Sequence, residues 1–139
     1  MLNYKENMMN ITRKDKINLL DDAISDREEY FNCVSGDTEL EEDTQNDINE
    51  LKTLLSKFKL NKKVVFDSED WKIFRKAALF AYYNNEGLRD ANKGFDKRIC
   101  KRADKMLKIS KYIFSITGGS PFSEFENAKL VNVTDLFKR

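Results

Sequence analysis

Carboxylates are the only side chains crowded closely enough in this sequence to suggest chemistry. They cluster at Asp21-Asp22, Glu28-Glu29 and Glu41-Glu42-Asp43, and the stretch from Asp21 to Glu50 holds 12 acidic residues against one basic residue, Arg27, for a net charge of −11. Paired carboxylates can hold magnesium or share a proton. Helical side chains at i and i+1 point apart, however, so neither Asp21-Asp22 nor Glu28-Glu29 chelates a single ion, and no pair stands out as an acid–base dyad.

The remaining catalytic chemistry is excluded by residue type. There is no histidine in the chain, so a Ser-His-Asp triad, a Cys-His pair, a His-ligated zinc and a histidine pH switch are all ruled out. Gly118-Gly119-Ser120 runs into Pro121 rather than the lysine of a phosphate-binding loop. Cys33 and Cys100 are far apart and outside any CxxC spacing. They read as two free thiols of a reducing compartment, with a redox switch between them as the alternative. These residues point to a non-enzymatic protein with no cofactor and no metal site.

Charge patterning then offers two binding surfaces. Glu39, Glu41, Glu42, Asp43, Asp47 and Glu50 fall within 13 residues of one helix. That is about one charge per 3.3 Å of axis, close to the roughly 3.4 Å spacing along a single DNA strand. Such a surface suits a basic groove on a protein that handles nucleic acid. Arg89 to Lys111 holds nine basic and three acidic residues, net +6, so the overall charge of +1 hides two opposed blocks. Lys97, Arg98, Lys101, Arg102, Lys105 and Lys108 span about 18 Å of one helical face, long enough to lie along several phosphates, with Phe95 and Tyr112 placed to stack at the ends. No DNA-reading motif accompanies them. In a third arrangement the two blocks pair with each other, within one molecule or between copies.

The elements that position these residues are helical. One proline and five glycines in 139 residues leave few helix breaks. Thr12, with Asp15 three residues on, caps a first helix whose inner face is Ile17, Leu20, Ile24, Phe31 and Val34, leaving Lys16, Asp22, Asp26 and Glu29 outside; Gly36 ends it. Asp37 or Thr38 opens a second helix with an Ile48, Leu51, Leu55, Phe58 seam, so residues 12–60 form an acidic antiparallel helical hairpin. Lys62 to Phe66 is an extended connector. Asp67 or Ser68 caps a third helix that is apolar nearly all round, with Trp71, Phe74 and Phe80 buried, and Asn84 to Gly87 ends it. Asp96 caps the fourth, which runs to about Ile116 and buries Phe95, Ile99, Ala103, Met106, Leu107, Ser110, Ile113, Phe114 and Thr117.

The expected architecture is one all-α domain over 1–139. It comprises a loose arm (1–11), the hairpin (12–60), two longer core helices with a basic face (67–117), and a short C-terminal helix and tail (120–139). No stretch reaches the roughly 18 apolar residues of a membrane span, and Met1 to Asn10 has no signal-peptide core, so a cytoplasmic address is expected.

Over residues 12–60, the capped helix, glycine turn and acidic helix resemble hairpins common in small bacteriophage and mobile-element proteins. Abundant Lys, Asn, Ile and Phe also suit an AT-rich genome. The resemblance implies an inhibitor or regulator in the host cytoplasm that engages a basic surface of a nucleic-acid-handling protein through the acidic hairpin. The alternative is a nucleic-acid-binding module using residues 97–108. Self-association is compatible with both.

Overall fold

The computed structural model describes residues 11–119. The rest of the expected arm and the expected C-terminal helix at 120–139 lie outside the described residues. Four helices follow one another: α1 (Arg13–Cys33), α2 (Thr38–Leu60), α3 (Ser68–Asn92) and α4 (Lys97–Ile116). No strand occurs among the described residues, and the protein is all-α.

Each helix starts where a short polar side chain can satisfy the free amides of a first turn. Thr12 and Asp15 form a reciprocal capping box on α1, and Asp67 and Asp70 form another on α3. Asp37 accepts from the Leu40 amide, and Asp96 from those of Arg98 and Ile99. The two short turns that reverse the chain contain Gly36 at φ +100° and Gly94 at φ +84°, a region that β-carbons disfavour.

Apolar residues from all four helices form one core. Leu19, Leu20, Ala23 and Ile24 enter from α1, Leu51, Leu54, Leu55 and Phe58 from α2, and Met106, Ile109, Ile113 and Phe114 from α4. α3 supplies Phe74, Ala77, Ala78, Leu79, Phe80 and Ala81, and it packs extensively on both α1 and α4. Its alanines leave room for close helix approach, which is why this helix is central. α1 also packs against α2. Residues 61–67 are a non-helical connector. Phe66 within it stacks edge-on to Phe58, Trp71 and Phe74, with centroids 5.0–5.7 Å apart, closing one end of the core.

Several expectations are corrected. α3 does not end at Asn84–Gly87 but continues to Asn92, because the fully buried Asn85 donates within the helix to Ala81 O (2.8 Å) and across to Asp22 (2.9 Å). α1 is rotated from its expected orientation. Leu19 and Ala23 are fully buried, Ile17, Phe31 and Val34 only half-buried, and Asp22 points inward. Trp71 sits at the core's edge, 36% exposed, and Phe95 is 89% exposed rather than buried. α4, at 20 residues, is the shortest of the four helices.

Arg75 is buried to 1% exposure in the middle of α3. Its guanidinium donates to Phe114 O, Thr117 Oγ1 and Gly119 O at 3.3, 2.7 and 2.8 Å. A cation is favoured there, because the last carbonyls of a helix carry partial negative charge and lack partners of their own.

Two of the capping acids also pair with another helix. Asp70 accepts from Lys57 of α2 at 2.6 Å, which raises the Lys57 pKa, and Asp15 pairs with Lys105 of α4 at 3.2 Å. Burial pushes the Asp15 carboxyl up, but hydrogen bonds from the Thr12 amide, Lys105 and the Thr12 hydroxyl outweigh it and leave the pKa below 3.8. Folded Asp15 therefore binds its proton more weakly than the unfolded chain does. Its contribution to stability is present above about pH 4 and is lost as pH falls through the lowered value.

Two measurements check this architecture. Phe74→Ala should cost about 3–5 kcal/mol and lower Tm by roughly 10 °C or more, whereas Trp71→Ala should cost clearly less; equal losses would contradict the edge position of Trp71. Asp15→Asn should lower stability at pH 7 and flatten the acid limb of a stability-versus-pH curve below pH 4, as followed by urea unfolding.

Candidate protein-binding surface

Folding divides the acidic block. Asp47 and Glu50 turn toward α3, where Lys76 Nζ lies 3.4 and 3.7 Å from their carboxylates. Glu41 folds back to accept from the Gly36 amide at 2.8 Å. Glu39, Glu42 and Asp43 remain exposed and form no ion pair among the described residues. They stand on the first two turns of α2, where acids are also favoured by the helix dipole. The turn at 34–37 ties them to the C-terminal end of α1, whose last turn contains no basic residue.

The basic block divides as well. Arg102 reaches across to α1, and its two Nη atoms each lie 3.0 Å from an oxygen of the nearly buried Asp22. The same guanidinium approaches Asn85 Oδ1 at 3.4 Å, so one network joins α1, α3 and α4. Lys105 is exposed but pairs with Asp15. Lys97, Arg98, Lys101 and Lys108 keep the outward orientation expected of them. Lys97, Lys101 and Lys108 line a shallow groove of about 500 Å³ along α4. The opposed blocks thus meet at Asp22–Arg102, while most of each remains on the surface.

A second concavity was not foreseen from the sequence. Between α1 and α3 lies an open groove of about 510 Å³, bounded by Glu29, Tyr30 and Cys33 on one side and Tyr83, Gly87 and Leu88 on the other. Tyr30, Tyr83 and Leu88 are 37–41% exposed, so the groove offers accessible ring and aliphatic surface between the polar side chains of Asp26, Glu29 and Asn84. At its base the Arg27 guanidinium lies 4.5 Å from the Tyr30 ring centroid and 4.0 Å from that of Phe80, while its Nη2 donates to Asp26 at 2.7 Å. Burial raises the Asp26 pKa in spite of those hydrogen bonds, and it raises that of Tyr83. The sequence signal for this groove is Gly87, whose place in the Asn84–Gly87 stretch points to a helix end rather than to a groove floor.

Both thiols are free. Cys33, the last residue of α1, is exposed, and half-buried Cys100 has its Sγ 3.6 Å from Arg89 O. No group of three or more metal-ligating side chains occurs among the described residues, and none of their helices is long and apolar enough to cross a membrane.

This division of the cations can be tested by substitution. Arg102→Gln should cost about 1–3 kcal/mol, since it strands a nearly buried carboxylate, while Lys101→Gln and Lys108→Gln should leave Tm within about 2 °C of the parent. Thermal unfolding of the three variants at pH 7 separates the structural cation from the surface ones.

Comparison with protein-family models, with curated proteins and with solved structures finds no match to this chain.

Proposed function

We propose that this protein acts by binding, not catalysis, and that the exposed acids at the start of α2 engage a basic surface of a partner protein. The observation that carries this reading is what remains after internal pairing. Asp15, Asp22, Asp26, Asp47, Glu50 and Asp70 all face cations of the same molecule, whereas Glu39, Glu42 and Asp43 face none among the described residues. A solvated helix needs polar cover, but three unpaired carboxylates within five residues exceed what capping requires. A field of one sign steers a partner of the other and mainly raises the rate of encounter. A nucleic-acid-handling protein offers the matching basic groove, and an inhibitor or regulator of such a protein, of the kind mobile elements carry, is the role we assign.

Nucleic acid is the second reading, and the shallow groove along α4 favours it. Its reach is shortened, however, because Arg102 and Lys105 are already turned to Asp22 and Asp15.

The triple variant Glu39→Gln, Glu42→Gln, Asp43→Asn should keep its helical circular-dichroism signal and its Tm, since exposed carboxylates carry little folding energy. Tagged wild-type chain, expressed in its own cell and recovered after nuclease treatment, should retain a protein that the triple variant loses. With that protein purified, the wild-type on-rate should fall as salt rises and should be about 10-fold faster than the variant's at low salt. Equal kinetics for both would rule out the acidic surface. A partner that disappears with nuclease would move the function to α4.

A further inference from the structure

We propose that the groove between α1 and α3 receives Phe95 of a second copy of this chain, so that two molecules associate about a two-fold axis, each seating its Phe95 over the other's Gly87. The inference uses none of the acids assigned to the partner surface and stands or falls separately from that reading.

Phe95 supplies the anchor. At 89% exposure it is the barest large apolar side chain among the described residues. It directly precedes Asp96, the N-cap of α4, a position from which an apolar residue commonly folds back onto the first turns of its helix. Phe95 does not fold back and stays in solvent.

Gly87 supplies the seat. It lies within α3, its φ is not positive, and a β-carbon added there would meet nothing within 4 Å. Neither backbone conformation nor packing within this molecule requires glycine at a site where almost any other residue would favour the helix. What glycine does provide is a bare patch of backbone between Tyr83 and Leu88, facing Tyr30, on which an aromatic ring can lie.

Charge and topology select the occupant. Phe95 is followed by the exposed cations Lys97, Arg98 and Lys101, whereas the groove is rimmed by Glu29 and by the end of α1, which has no basic residue in its last turn. The single cation among the described residues of the groove, Arg27, is held by Asp26 and two aromatic rings. Phe95 comes seven residues after Leu88, so anchor and groove belong to the same end of α3. A reciprocal exchange of anchors closes at two copies, as isologous interfaces do.

Sedimentation equilibrium of the full chain from about 1 µM to about 1 mM, a range that covers weak dimers, should show a monomer–dimer equilibrium that weakens as salt rises. Phe95→Asp and Gly87→Arg each alter an exposed position and should keep the circular-dichroism spectrum. Each should raise the dimer Kd by about 100-fold or more, as loss of a central anchor does. An equimolar mixture of the two variants pairs one intact anchor with one intact groove and should recover a heterodimer weaker than the parent. A readout that needs no variant is alkylation of Cys33, located by mass spectrometry; its rate should fall as protein concentration rises. A chain that is monomeric throughout the range, a dimer that persists in either variant, a mixture that forms no heterodimer, or a Cys33 rate independent of concentration would each overturn the proposal. Monomeric behaviour would leave the groove to a foreign protein.

Discussion

The contact between Asp22, Asn85 and Arg102 constrains the rest of this molecule. A carboxylate that is nearly out of solvent is costly unless paired and hydrogen-bonded, and Asp22 meets both conditions only if three helices hold one arrangement. α1 must turn so that Asp22 points inward, α3 must still be helical at Asn85, and α4 must reach Arg102 across to α1 even though its side chain stays 44% exposed. The buried faces of α1 and α4 follow from these demands. So does the division of surface charge, because Arg102 is then no longer available to a ligand.

Arg75 imposes a complementary constraint from α3 on the far end of α4. Its bonds to Phe114 O, Thr117 Oγ1 and Gly119 O hold the helix terminus that a surface lysine would otherwise have to satisfy. Capping acids work to the same effect elsewhere. Asp15 and Asp70 each close a first turn and also receive a lysine from a neighbouring helix, so that local helix initiation and inter-helix registration depend on one side chain. An arrangement of this kind couples secondary to tertiary structure more tightly than apolar packing alone, which tolerates sliding.

Much of this was legible in the sequence because it is local. Thr12, Asp67 and Asp96 announce helix starts, Gly36 and Gly94 announce turns, and the 3-4-3 spacing of Ile48, Leu51, Leu55 and Phe58 announces a buried seam. What failed was tertiary. Asn84 to Gly87 has the composition of a helix end, and only the partner Asp22, 63 residues away, makes Asn85 a buried interior residue. Asp22 reads as a solvent-facing charge in its own segment, and nothing there reveals the compensating cation; Arg102 is exposed as its pattern implies, but its pairing with Asp22 is not visible locally. The hydrophobicity of Trp71 and Phe95 points to the core, but the core end is filled by Phe66 from the connector and Phe95 precedes the cap of its helix. For the candidate surface, the charge blocks were visible in the sequence, but which members remain free was not.

Which charges remain free matters more here than their number. Subtracting internal pairs leaves a cluster of acids at the start of α2, Asp21 and Glu29 on α1, and cations along one flank of α4, so the overall charge of +1 coexists with two opposed fields on one small body. Pairing all of them internally would add little stability, since exposed ion pairs contribute only about 0–1 kcal/mol each. Weak pairing is what makes such charges available, because a partner does not have to break a strong internal contact before forming its own. By contrast, Asp22 and Arg102 are committed to the fold and cannot be recruited without loosening three helices. The molecule therefore separates charge that holds its shape from charge that can act outward, and the turn between α1 and α2 is where the outward-acting acids are concentrated.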